Sequence, residues 1–205
     1  MRFIEFKKKL KDLIIFSIKD IEKIDKSIHP PRFVEWQAKN YIKKIIRGYY
    51  IFADLELNEK VLFIIANKIY RPSYISFEMA LSYYRLIPET MYGITSATTR
   101  HTYNFNTNFA PFIYKRIKPK LMFGYKLVEY NNQIYKIAEV EKALIDFFYL
   151  KPDIKKDDDF KELRIDKQSF LEQVDFEKLN KYLKVIDSDV LSRRVRKFIR
   201  FIKNA

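Results

Sequence analysis

PRFVEWQAKNYIKKIIRGYYIF, residues 31–52, decides how the front of this chain folds. Pro31 suits a first helical turn, where its missing N–H is not needed. Asn40 tolerates the left-handed conformation at which a helix ends. From Tyr41 to Ile46 and from Tyr49 to Phe52, β-branched and aromatic residues dominate, and Arg47-Gly48 between them suits a turn. The stretch is therefore expected to form a helix over Arg32–Lys39 and then a basic two-stranded hairpin. Within that helix Val34, Ala38 and Tyr41 make one stripe, expected to face inward, and Arg32, Glu35, Trp36 and Lys39 lie opposite. Trp36 is expected to pack against the hairpin or the first helix, because tryptophan is usually largely buried.

Upstream, Phe3, Phe6, Leu10, Leu13 and Ile14 recur at helical spacing with lysines opposite, which predicts a first helix. Ser17 with Asp20 three residues on has capping-box spacing, and Ile18, Ile21 and Ile24 give the second helix a buried edge. That helix is expected to stop before Pro30. Three helices followed by a cationic hairpin make a winged helix-turn-helix over residues 1–54. Its expected contacts to double-stranded DNA are Arg32, Glu35, Gln37 and Lys39 from the third helix, with Lys43, Lys44 and Arg47 at the hairpin edge and tip. Residues 47–52, RGYYIF, partly match the aromatic RNA-recognition signature, but Tyr50 stands where Gly or Ala belongs and helix precedes where that fold has a strand.

Charge points the same way. Of a net +14, residues 1–52 hold +7 (13 Lys and Arg against 6 Asp and Glu), residues 53–150 hold +3, and residues 151–205 hold +4. A clustered positive field favours a polyanion. With 48% hydrophobic and 17% aromatic residues the chain can build a core. The absence of cysteine excludes disulfides and thiolate metal sites and fits a reducing cytoplasm. No apolar run approaches the ~20 residues of a membrane span, so no membrane partner is expected.

Residues 55–205 are expected to form an α+β domain with a mostly antiparallel sheet and a helical C-terminal extension. Asn58 and Ser76 suit N-caps, Asn131-Asn132 suits a hairpin turn, and a helix is expected over Glu139–Leu150. No catalytic activity, metal or cofactor is expected. His29 and His101 have no ligating neighbour at useful spacing, the three glycines build no phosphate loop, and Glu139, Glu141 and Asp146 suit a helix start. In the tail, residues 151–160, KPDIKKDDDF, suit a charged linker. Asp175 and Ser188 suit caps of two helices, the last of them amphipathic and basic and expected to pack its apolar side on its own domain.

Three segments together resemble one family. Residues 36–44 with Arg47-Gly48-Tyr49-Tyr50 resemble the winged-helix end of AbiEi-like antitoxins. Residues 72–81, PSYISFEMAL, with Leu86-Ile87-Pro88, resemble the start of their second domain, and residues 137–146, IAEVEKALID, its closing helix. The likeness covers roughly residues 5–150, with Asn40 where the family often has glycine. It implies the antitoxin of a type IV toxin–antitoxin, phage-defence-type system: a transcriptional autorepressor that binds repeats in its own promoter. Such antitoxins counteract a nucleotidyltransferase-like toxin without a stable complex. From the residues alone, a stand-alone winged-helix transcription factor with a ligand-sensing second domain remains the alternative.

Overall fold

The computed structural model describes residues 2–25, 28, 30–88 and 92–204. His29 lies outside them. The chain is mixed α and β, with antiparallel and mixed sheets and helices at the C-terminal end.

The front of the chain runs α1 (Phe3–Lys9), β1 (Phe16–Ser17), α2 (Ile18–Glu22), α3 (Pro30–Ala38), β2 (Ile42–Ile46) and β3 (Tyr49–Phe52). The three strands form an antiparallel sheet in the order β1-β3-β2. Helix α1 is shorter than the apolar spacing predicts. Ile14 and Ile15 leave it to pack in a larger core downstream, and Phe16–Ser17 becomes a strand paired with Tyr50 and Tyr49. Ser17 caps α2 as expected: its hydroxyl accepts from the Asp20 N–H (3.2 Å), and the Asp20 carboxylate accepts from the Ser17 N–H (2.9 Å). Of the three isoleucines expected to bury that helix, only Ile21 is fully buried, Ile24 is half-buried and Ile18 is exposed.

The two faces of this small sheet serve different cores. Phe16, Ile42, Tyr50 and Phe52 pack with Phe6, Leu10, Ile21, Phe33 and Trp36 beneath the helices. Ile45 and Ile51 turn the other way and join Ile14, Ile15 and the larger downstream core. Alternation along a strand puts neighbouring side chains on opposite faces, so a hairpin clamped between two cores reads as nearly continuous apolar sequence.

Beyond it come α4 (Glu59–Ile69), capped by Asn58 as expected, β4 (Ser73–Ile75), α5 (Phe77–Tyr83), β5 (Ile94–Thr98), β6 (Tyr103–Asn106), β7 (Pro111–Arg116), β8 (Tyr125–Tyr130), β9 (Gln133–Ala138) and α6 (Val140–Leu150). Asn131 and Asn132, both at positive φ, turn the β8–β9 hairpin. Six strands align as β6-β7-β5-β4-β9-β8. Three of its five pairings, β4 with β5, β6 with β7 and β8 with β9, are antiparallel, and the sheet is mixed because β5 runs parallel to β7 and β4 parallel to β9. Helix α4 covers one face, where the Tyr114 hydroxyl donates to the Ala66 carbonyl (2.6 Å) and Phe63 meets Tyr135. Helices α5 and α6 cover the other.

Residues 151–160 are not the linker that their charge suggests. They lead into α7 (Asp157–Glu162), which is held by the Asp159 carboxylate accepting from the N–H groups of Lys155 (2.7 Å) and Lys156 (2.8 Å). Phe160 anchors that helix in the core against Phe148 and Phe198. Helix α8 (Lys167–Gln173), capped by Asp166, comes next. The tail ends in α9 (Phe176–Ile186), capped by Asp175, and α10 (Asp189–Asn204). As expected, α10 buries Leu191, Val195, Phe198 and Ile202 and turns Arg193, Arg196, Lys197, Arg200 and Lys203 outward.

Candidate nucleic-acid interface

Helix α3 is fixed by its two large rings. Trp36 is 2% exposed and lies 4.5 Å from the Phe6 ring and 5.5 Å from Phe3, while Phe33 stacks on Tyr50 at 5.5 Å. Burying both sets the rotation of the helix, and it differs from the expected one. Val34, expected inward, is 66% exposed, and Ala38 and Tyr41 are also exposed. The aromatic side chains win because they remove far more apolar surface from water than valine and alanine. The expected packing of Trp36 against the first helix is what the structure has.

The helix ends at Asn40, whose φ is +53, and the Tyr41 N–H closes onto the Trp36 carbonyl at 2.8 Å. That left-handed residue turns the chain into β2. The hairpin carries a bulge, Lys44 opposing Tyr50 and Ile46 opposing Tyr49, with Ile45 as the extra residue. Gly48, at φ +82, completes the turn, a backbone conformation that favours glycine.

On this frame the seven candidate residues separate into two groups. Arg32, Glu35 and Lys39 are on the solvent side of α3 and interact with one another. The Glu35 carboxylate takes Arg32 at 2.8 Å through one oxygen and Lys39 at 2.8 Å through the other. Lys39, and then Arg32, hold Glu35 below the usual carboxylate range, and Glu35 raises Lys39 in return. Two cations and one anion leave this face with a single net positive charge. Gln37 is half-buried, and its amide donates to the Phe33 carbonyl of its own helix (2.9 Å). It lies off the cationic face.

The hairpin group is different. Lys44 and Arg47 are exposed and Lys43 is half-buried, and among the described residues no carboxylate pairs with any of the three. Lys7 on α1, also basic, is instead paired with Asp54. Among the seven candidate residues, the cations of the hairpin tip and edge are thus the ones without a carboxylate partner among the described residues.

Sequence reasoning missed one polar constellation in the second half. Lys142 and Asp146, one helical turn apart on α6, form an ion pair that is fully buried. The Tyr74 hydroxyl donates to Asp146 Oδ2 (2.7 Å) and accepts from Lys142 Nζ (2.8 Å), and the Ser76 hydroxyl donates to the same carboxylate oxygen (2.8 Å). Asp146 is therefore not a helix-start carboxylate, and Ser76, although it stands at the N-cap of α5, spends its hydroxyl on Asp146 rather than on a cap. Burial pulls the Lys142 ammonium below its ordinary value against the pull of Asp146. The (i, i+4) spacing was the available signal, and it is the same on a solvated helix face.

Among the described residues no group of three or more His, Asp or Glu is placed to hold a metal ion. No described helix is long and apolar enough to cross a membrane. No protein-family model matches the chain, and no curated protein matches it.

Proposed function

We propose that this chain is a DNA-binding transcriptional autorepressor and the antitoxin of a type IV toxin–antitoxin system, related to the AbiEi-like proteins. The observation that carries the DNA half is the hairpin of β2 and β3. It comes directly after a helix whose outer face bears Arg32 and Lys39, and it presents Lys43, Lys44 and Arg47 without an acidic partner among the described residues. The order helix, strand, helix, helix, strand, strand supports reading this part of the chain as a winged helix-turn-helix. In this reading α3 enters the major groove and the hairpin lies along the backbone, contacting phosphates.

The antitoxin half rests on the three sequence segments that resemble the family. The second and third of them, residues 72–81 and 137–146, meet in the Tyr74–Ser76–Lys142–Asp146 network. They make a structural core in common rather than an exposed site. The toxin partner is a nucleotidyltransferase-like protein acting without a stable complex, and the site of action is the cytoplasm.

Two experiments test the halves separately. Full-length protein should bind its own promoter with an affinity that falls steeply with salt. Co-expression should rescue growth of cells carrying the adjacent gene. A neighbour that is not toxic, or toxicity that persists, removes the antitoxin half and leaves the repressor.

A further inference from the structure

Between Glu89 and Glu129 the chain has six Lys and Arg and no Asp or Glu. Two of those cations, Arg100 and Arg116, gather with Arg71 at one corner of the six-stranded sheet, beside the end of α4. An Arg100 N–H donates to the Arg71 carbonyl (3.4 Å), and Arg71 Nε donates to the Asn67 carbonyl (3.3 Å). Arg116 follows Tyr114 by two residues on β7, which puts it on the α4 side of the sheet, and its N–H donates to Thr102 Oγ1 (3.1 Å). All three side chains are exposed, and among the described residues no carboxylate pairs with any of them. Backbone carbonyls orient Arg71 and Arg100 without neutralising them.

An aromatic platform stands among these cations. Tyr103 lies on β6, the edge strand, directly opposite Tyr114, and is 51% exposed. Its ring stacks on Tyr70 (6.1 Å between centroids, 22° between planes) and meets Phe105 at 4.6 Å. Tyr70 is buried and fixed: its hydroxyl donates to the His101 carbonyl (2.9 Å), its ring lies 4.8 Å from Tyr114, and the Arg100 guanidinium sits 4.2 Å from its centroid. Tyr103 is therefore a half-open ring on a rigid base, flanked by unneutralised guanidinium groups.

An inorganic anion would meet the cations and leave the ring in water. Of residues 98–118, Tyr103 alone is an exposed large apolar side chain, too little to enter a bilayer. In a duplex each base is covered by its neighbours, so its face cannot reach the ring. An unpaired base with its phosphates meets both features. We propose that this corner binds single-stranded RNA or DNA, with a base on the Tyr103 ring and adjoining phosphates on Arg71, Arg100 and Arg116. It shares no residue with α3 or the hairpin and does not rest on the DNA reading of them.

The test is fluorescence anisotropy of the full chain with labelled oligouridylate, oligothymidylate and the promoter duplex. Both single strands should bind, because ring and guanidinium groups meet base face and phosphate rather than the sugar. Tyr103→Ala should weaken both by about tenfold and leave duplex affinity unchanged, and Tyr103→Phe, which keeps the ring, should bind as wild type. Arg100→Ala/Arg116→Ala should make the salt slope on single strands shallower by up to about 1.4, at about 0.7 per phosphate. The single strands are titrated also with Lys43→Ala/Lys44→Ala/Arg47→Ala combined with each change, so that phosphate contacts at the hairpin do not mask the site. Melting curves check folding; if Tyr103→Ala does not fold, the slope of the arginine pair decides. Absence of single-strand binding, wild-type affinity in Tyr103→Ala, an equal loss on the duplex, or an equal loss in Tyr103→Phe overturns the proposal, as does an unchanged slope in the arginine pair.

Discussion

Glu35→Gln should make this protein bind DNA more tightly. The side chain accepts Arg32 and Lys39 at once, so the outer face of α3 carries two cations and one anion. Glutamine keeps the shape and removes the charge, and the net charge of the face rises from +1 to +2. Each phosphate neutralised steepens the slope of log K against log salt by about 0.9, which corresponds to about eightfold in affinity at about 0.1 M salt relative to about 1 M. One cation released from Glu35 to a phosphate should therefore tighten promoter binding by about eightfold and steepen the slope by about 0.9. The assay is fluorescence anisotropy with labelled promoter duplex between about 50 and about 300 mM salt. The pairs are solvent-exposed, so far-UV circular dichroism should not change. If affinity and slope both stay as they were, α3 does not face phosphates. If affinity falls and discrimination at one base pair relaxes, Glu35 reads a cytosine amine and its role as a neutraliser is wrong.

Three further outcomes are expected. Lys142→Met should destabilise the chain by about 3–5 kcal/mol in urea denaturation, because it leaves the Asp146 carboxylate charged and buried without its partner. The double variant Lys142→Met/Asp146→Leu should recover much of that loss; an equal or larger loss means the network contributes stability of its own. Asp20→Asn should cost about 1 kcal/mol or less at neutral pH and nothing once the solution is acid. Burial acts to raise the Asp20 pKa, but the Ser17 N–H, the Ser17 hydroxyl and Lys68 outweigh it and hold the group below its ordinary value. A depressed carboxylate contributes stability above its unfolded pKa of about 3.9 and loses it as pH falls through the folded value, so the two proteins should converge below about pH 4.

The parts of this fold that are legible in the sequence are those fixed by neighbours in the chain. Ser17 with Asp20, Asn58, Asp175, the Asn131-Asn132 turn and the end of α3 at Asn40 each act within a few residues, and each stands where its chemistry puts it. What depends on distant partners is harder to read. Spacing alone makes Val34 and Ala38 the inward stripe of α3, whereas Phe33 and Trp36 set the rotation through Phe3, Phe6 and Tyr50. Ile14 and Ile15 continue a helical pattern yet belong to another core. The aspartates at 157–159 look like linker and instead start a helix that Phe160 anchors. For the candidate interface, the sequence supplies the cations of α3 and the hairpin but not their pairing. That Glu35 occupies both Arg32 and Lys39, while the hairpin cations have no such partner among the described residues, is visible only in the folded arrangement.

The most direct measurement compares the full-length protein with its Lys43→Ala/Lys44→Ala/Arg47→Ala variant on promoter DNA and on an unrelated duplex of equal length. We expect the variant to lose up to roughly 500-fold at about 0.1 M salt, on both duplexes alike, with the salt slope shallower by up to about 2.7. Wild-type affinity and slope in a folded variant would mean that the basic hairpin does not hold DNA.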